Sequence, residues 1–394
     1  MKKKILLPII LILSFGFFYF VGYLHGHENL KFYKGYIPQI QNKELGKPSD
    51  IDFSLFWDVW NKVEEKYPGT FDRTKMFYGA ISGILTGLDD PYSVFMEPGQ
   101  SKSFLEDLQG VFEGVGVEVT IKNNQLTVVS VLSDTPSQKA GIKAGDVIIK
   151  IDGLETASMS LEEAVKKIRG REGTTVKLTI MRGSDIFDKD LTRKKIKIDS
   201  VKFEIKDNIA IIKISQFGDD TEDLLNKAIA DIQTKKPKGI ILDLRNNPGG
   251  YLETSVNVAS VFIKEGVIVS EEYKSGKKDE FKSSGDGRLS DFKLVVLVNE
   301  GSASASEIVA GAIQDYKKGI LIGEKTFGKG SVQELESLKQ GAYLRLTVAK
   351  WLTPKGRYIN GQGISPDIEV KLDQADIDKG IDPQIERAIS ELSK

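Results

Sequence analysis

From residue 209 to residue 316, short apolar runs alternate with segments of helical period, and that alternation constrains the fold more than any other feature of the chain. Strands are expected at 209–214, 239–244 and 294–299, with helices at 221–233, 254–263 and 304–316. Strand, helix and strand in succession favour an α/β layer with parallel strands, because parallel neighbours need a crossover that a helix supplies. Leu294-Val295-Val296-Leu297-Val298 has no polar position, so this strand is expected to be covered on both faces.

The preceding stretch has a different texture. Residues 105–191 carry strand patterns at 116–121, 126–131, 146–151 and 175–182, a short helix at 137–141 and a longer one at 161–169. That is a β-rich module small enough to stand alone, with Arg193, Lys194, Lys195 and Lys197 marking its exit. Before it, Phe53, Phe56, Trp57, Trp60 and Val63 recur at helical spacing, and 76–88 forms a second apolar helix closed by Gly87 and Asp89-Asp90-Pro91. These read as a helical cap, with Trp57, Trp60 and Trp351 as core residues. Residues 275–290, rich in Gly, Ser and Lys, read as a mobile surface loop.

Lys2, Lys3 and Lys4 precede an uncharged run over 5–24, about the length that crosses a bilayer core as a helix. A cleaved leader ordinarily has a shorter apolar core followed by a small-x-small site, and none follows here. An uncleaved signal anchor is therefore expected, with the lysines cytoplasmic and the body extracytoplasmic. The divisions are then 1–27 signal anchor, 28–50 tether, 51–104 helical region, 105–192 β-rich module, 193–372 α/β core and 373–394 helical tail.

With 55 basic and 56 acidic residues in 394, no overall charge marks the chain for nucleic acid. Cysteine is absent, which removes disulfides, thiolate catalysis and cysteine-ligated metals. The only histidines, His25 and His27, lie beside the apolar segment, so the folded body has no imidazole base. No metal or cofactor motif is found.

A serine nucleophile here needs a lysine to activate it. Ser304 falls at a strand-to-helix junction within Gly301-Ser302-Ala303-Ser304-Ala305-Ser306-Glu307. The first turn of a helix leaves N–H groups unpaired and carries partial positive charge, so the Ala305 N–H can receive an oxyanion. Gly249 and Gly250, in the turn after the strand at 239–244, can bring a second donor close. Lys329 lies between Gly328 and Gly330 and precedes Gln333. To act as a base, its pKa must fall from about 10.4 to roughly 7 to 8, within reach of burial. Gln333 can orient the amine without restoring its charge. The same residues also fit a plain helix start, with Ser304 and Glu307 as a capping box and Lys329 as a solvated loop lysine.

Ser304, Lys329 and Gln333, with 241–250, Asp89-Asp90-Pro91-Tyr92-Ser93 and Gly361-Gln362-Gly363-Ile364-Ser365-Pro366-Asp367, resemble the motifs of the C-terminal processing peptidases, or tail-specific proteases. The resemblance implies Ser304 as nucleophile, Lys329 as base and Gln333 as its support. It also implies a peptidase core like those of the crotonase and Clp-protease superfamily, in a multidomain α/β protein. Gly114-Val115-Gly116-Val117 and residues 136–148 resemble a PDZ domain, inserted before that core. Main-chain N–H groups of such a loop capture a terminal carboxylate while the peptide adds as a strand. Apolar C-terminal tails are the expected partners, with Arg169 a candidate for coupling the module to the active site. Assembly in the family often involves terminal regions, so 53–88 and 377–392 are expected homodimer contacts. The rivals to a membrane-anchored serine endopeptidase are an inert PDZ scaffold and a small-amide amidase.

Overall fold

The apolar runs of the second half fold as strands buried on both sides. In the computed structural model, which describes residues 14–20, 23, 30–32, 38–40, 50–122, 124–373, 376 and 379–394, every residue of Gly239–Asp243 and Leu294–Val298 is buried. The core sheet runs Val201–Lys206, Ile209–Ile214, Gly239–Asp243, Leu294–Val298, Ile320–Gly323, Ile368–Glu369. Only the first pair is antiparallel; the others are parallel. The strand period of two divides the apolar side chains between the faces. Leu242, Val296 and Val298 pack with the helices Thr221–Lys235, Leu252–Phe262 and Ala305–Tyr316, whereas Ile241, Val295 and Leu297 meet Ala388 and Leu392 of the helix Pro383–Leu392. Each such side chain contributes about 1.5–3 kcal/mol when buried, and the one charged residue in the two fully buried strands, Asp243, is paired with Arg245.

A second sheet orders Lys278–Lys282, Val267–Tyr273, Tyr343–Leu352 and Ser331–Ser337, with Val94–Met96 paired to Tyr343–Leu352. The expected mobile loop at 275–290 is corrected by this pairing. Lys278–Lys282 forms an antiparallel strand because the neighbouring Val267–Tyr273 offers it a ladder of main-chain partners.

The β-rich module forms its own sheet, ordered Asp185–Thr192, Thr175–Arg182, Val147–Ile151, Gln125–Val131, Val117–Lys122, around a separate core that includes Leu126, Ile148, Leu178 and Ile180. It joins the rest through Val111–Gly114 and Lys194–Lys197, which pair only with each other as an antiparallel ribbon.

Contacts divide the chain into two units, 1–73 and 74–394. In the first, the helix Ser54–Lys66 has no buried residue, and Trp57 is 57% exposed. The expectation of core tryptophans therefore fails for Trp57 and Trp60, neither of them buried, and holds for Trp351, 1% exposed. An apolar stripe at helical spacing marks a face to be covered without naming its cover. The expected signal anchor falls largely outside the described residues, and among those described no helix is long and apolar enough to cross a membrane.

Candidate active site

Ser304 is the N-cap of the helix Ala305–Tyr316, with φ +55° and ψ −115°. A residue with a Cβ seldom adopts positive φ, so the turn holds strain that its surroundings must maintain. The neighbouring serines do part of this. Ser302 Oγ donates to the Leu244 carbonyl at 2.8 Å and Ser306 Oγ to the Asn247 carbonyl at 2.9 Å, both buried. Ser304 makes no such bond and lines a cavity of about 510 Å³ with Ala305, Gly249, Gly250, Lys329 and Gln333.

Glu307 ties the two candidate catalytic segments together. Its fully buried carboxylate accepts from the Ser304 N–H at 2.9 Å, the Lys329 N–H at 2.9 Å, the Gly328 N–H at 2.7 Å and Thr326 Oγ1 at 2.6 Å. Burial raises its pKa, and these four bonds oppose the rise without cancelling it. The Glu307 N–H donates to the Ser304 carbonyl at 2.8 Å. The capping relation expected from the sequence is thus present on the Glu307 side, and it reaches far beyond its own helix.

Lys329 is the opposite of a solvated loop lysine. The Gly-Gln-Gly block clasps its loop: the Gly361 N–H donates to the Gly328 carbonyl at 2.9 Å, and the Ile364 N–H to Thr326 Oγ1 at 2.7 Å. Gly328 has φ +89°, and a Cβ there would lie 2.7 Å from the Gly363 nitrogen, so only glycine allows the two loops to touch. Trp351 Nε1 donates to the Lys329 carbonyl at 2.7 Å. The Lys329 amine lies 5.0 Å from the centroid of the Tyr92 ring. Burial pushes its pKa down to about 8, and the Arg345 guanidinium pushes the same way, against Asp90 and Glu307. Among the described residues no hydrogen bond joins Lys329 to Ser304.

The turn after Gly239–Asp243 is fixed from below. Arg245 pairs with Asp243 at 2.8 Å and Asp382 at 2.9 Å, and donates to Gln384 Oε1 at 2.8 Å, fastening the turn to the C-terminal helix. The Gly249 N–H is taken by Asn247 Oδ1 at 2.9 Å, whereas no intramolecular partner is described for the N–H groups of Gly250 and Ala305. These two are the donors that remain for an oxyanion. Gly250 abuts the Gln216-Phe217 segment, with the Tyr251 N–H donating to the Phe217 carbonyl at 2.8 Å.

Gln333 lines the same cavity, but its Nε2 donates to Ser331 Oγ at 2.8 Å and Thr347 Oγ1 at 3.2 Å. The Asp90-Pro91-Tyr92-Ser93 block arrives through Val94–Met96. Ser93 Oγ donates to Asp90 Oδ2 at 2.6 Å and accepts the Thr347 N–H at 3.0 Å. Burial would raise the Asp90 pKa, but bonds from Ser93, Thr347 and the Tyr92 main chain, with the Lys329 charge, hold it below the usual carboxylate value. Phe104 and Leu108 of the helix Pro98–Leu108 complete the wall, and Gln216 Nε2 donates to the Leu108 carbonyl at 2.6 Å. Sequence reasoning did not assign roles to Tyr92, Asp90, Arg345, Phe104 or Leu108; the quoted block around Asp90 was the one signal among them.

In the β-rich module, Val117–Lys122 is an edge strand, and the Val115 and Gly116 N–H groups have no described partner. Gly116 has φ +83°, and a Cβ there would strike the Thr135 side chain at 2.3 Å. Val117 packs on the module's core, and Arg169 caps the helix Leu161–Ile168 with its guanidinium 5.1 Å from the Phe112 ring centroid.

Comparison with known proteins finds three family matches. Residues 208–370 match the model of peptidase family S41, 114–192 that of the PDZ domain, and 11–99 that of the activating protease CtpB N-terminal domain. A probable CtpA-like serine protease of Staphylococcus haemolyticus is 44% identical over 75% of this chain and 60% of its own length. Another, from Staphylococcus aureus, is 40% identical over 83% of this chain and 66% of its own. The chain thus spans less than two thirds of the length of these curated relatives. Among solved structures, a photosystem II D1 C-terminal processing protease is 31% identical, covering 81% of this chain and 88% of that one, with a TM-score of 0.53. A putative S41 protease from Bacteroides fragilis, 17% identical with a TM-score of 0.58, shares the fold. With residues 208–370 matching the S41 model and 31% identity over 88% of the D1 processing protease, the chain belongs to peptidase family S41.

Proposed function

We propose that the chain is a serine endopeptidase in which Lys329 activates Ser304, and that its PDZ domain selects the C-terminal tails of protein substrates. The observation that carries the reading is the meeting of Ser304 and Lys329 at one cavity, both main chains on Glu307, with burial holding the lysine near neutrality. The neutral amine takes the Ser304 proton as Oγ attacks the peptide carbonyl. Gly250 and Ala305 N–H groups receive the oxyanion, and the lysine returns the proton to the leaving amine. Water then hydrolyses the acyl-enzyme through the same base. Gln333 supports the amine from the same cavity, itself held by Ser331 and Thr347.

Val115 and Gly116 N–H groups bind the tail's carboxylate, with the tail paired along Val117–Lys122 beside an apolar pocket. Gly114 ends the strand that leads into the loop, Gly116 at φ +83° lets the loop turn, and Arg169 relays occupancy to the core. The name of the D1 C-terminal processing protease supports the tail as substrate. The uncharged run at 5–24 behind three lysines supports a membrane anchor with the body extracytoplasmic, which carbonate extraction and external proteolysis of intact cells test. Phe53, Leu55, Trp57 and Val59, exposed on and beside Ser54–Lys66, support homodimer formation through this region.

Intact mass spectrometry of an unfolded substrate with an apolar tail decides the main reading. Wild type yields products while Ser304→Ala and Lys329→Ala do not; equal cutting by all three rejects the assignment. The missing Ser304–Lys329 hydrogen bond favours the second reading, an inert PDZ scaffold. In that case the tail binds and wild type cuts nothing.

A further inference from the structure

Tyr92 lies far from Lys329 in sequence, yet its ring centroid is 5.0 Å from the Lys329 amine. The ring is held there by a built support. Arg345 Nε donates to the Tyr92 carbonyl at 3.0 Å, the Tyr92 N–H donates to Asp90 Oδ1 at 3.0 Å, and Arg345 lies opposite Val94 in the strand pair. The strand Tyr343–Leu352 that carries Arg345 also pairs with Ser331–Ser337, the strand that follows Lys329. One strand therefore fixes the ring and the amine relative to each other.

We propose that Tyr92 is a positioning residue for Lys329, its ring face holding the side-chain nitrogen at the cavity beside Ser304. An aromatic face attracts an ammonium and offers a neutral amine much less, so the ring favours the protonated lysine, while burial favours the neutral one. The other groups that act on this amine are Arg345 on the facing strand, Asp90 in Tyr92's own turn and Glu307 on the helix behind Ser304. Tyr92 is the uncharged member of this set, and the one able to restrain where the nitrogen sits without a competing charge. The inference rests on the peptidase reading only for its consequence in catalysis.

The test is competitive labelling of Lys329 by acetic anhydride across a pH series on the full chain, read by peptide mass spectrometry, with peptide hydrolysis measured in parallel. Tyr92→Leu keeps apolar cover but removes the ring face, so the labelling midpoint is expected to fall by about half a pH unit or more. Tyr92→Phe is expected to keep the wild-type midpoint. Tyr92→Met serves in place of the leucine variant if circular dichroism shows the latter unfolded. An unmoved midpoint in the aliphatic variant, or an equal move in Tyr92→Phe, overturns the proposal. A shift without hydrolysis by wild type would uphold Tyr92's role and reject the peptidase reading, whereas hydrolysis without a shift would do the reverse.

Discussion

Ser304 and Lys329 donate their main-chain N–H groups to the same atom, Oε2 of Glu307, each at 2.9 Å. The register between Ser304 and Lys329, the proposed nucleophile and base, is therefore set by a buried acceptor that bonds to neither side chain. Glu307→Gln places an amide where one of the two acceptor oxygens must be, and a donor then faces donors. Stability is expected to fall by about 1–3 kcal/mol, and kcat by roughly tenfold or more with KM little changed. Denaturant unfolding and steady-state peptide kinetics check this; an unchanged kcat would remove Glu307 from the machinery.

Lys329 has a folded pKa of about 8, below its ordinary 10.5. Between those values the unfolded chain binds more protons, so stability rises with pH across that window. Lys329→Met is expected to be inactive yet more stable at pH 7, by on the order of 2 kcal/mol after allowing for partial exposure, with the gain shrinking towards pH 10. Wild-type kcat/KM is expected to climb with pH through about 8. Thermal melts at several pH values and a pH–rate profile are the measurements, and a stability gain that grows with pH would contradict the assignment.

Ser302 and Ser306 are spent on carbonyls of the turn beneath Ser304. Changing either to Ala removes one of two donors to a buried carbonyl, at about 0.5–1.5 kcal/mol, while Ser304→Ala is expected to abolish turnover with little loss of stability. A Ser306→Ala variant as dead and as stable as Ser304→Ala would move the nucleophile.

Gly250 has φ +143°, and a Cβ there would lie 2.2 Å from the Phe217 carbonyl oxygen. Gly250→Ala is expected to displace the free N–H and cut kcat by roughly 10²-fold, as loss of one oxyanion donor does elsewhere. Full activity in this variant would leave Ala305 without its second donor.

Removing Arg245 leaves Asp243 buried and unpaired beneath the turn. Arg245→Met is expected to destabilise by about 3–5 kcal/mol, measured by urea unfolding. A loss below 1 kcal/mol would mean that the cluster is solvated in solution.

The core was legible because Leu294–Val298 is apolar at every position and Ile240-Ile241-Leu242 is apolar throughout, a pattern that suits strands covered on both faces. Ser304 and Lys329 were legible through their motifs. The rest was not, for definite reasons. Glu307 reads locally as a helix cap, and its bonds to Gly328 and Lys329 depend on a loop that returns only after the next strand. Tyr92 reaches the site through strand pairing across most of the chain, which no local pattern encodes. Trp57 shows the converse, since its spacing marks an apolar face whether or not this chain covers it.

The ribbon formed by Val111–Gly114 and Lys194–Lys197 brings both ends of the PDZ insertion to one place. A module grafted at a single seam can be exchanged or diversified while the hydrolytic body stays as it is. On the proposed function, the choice of tail and the cutting of bonds can therefore drift independently over generations, provided the seam still closes.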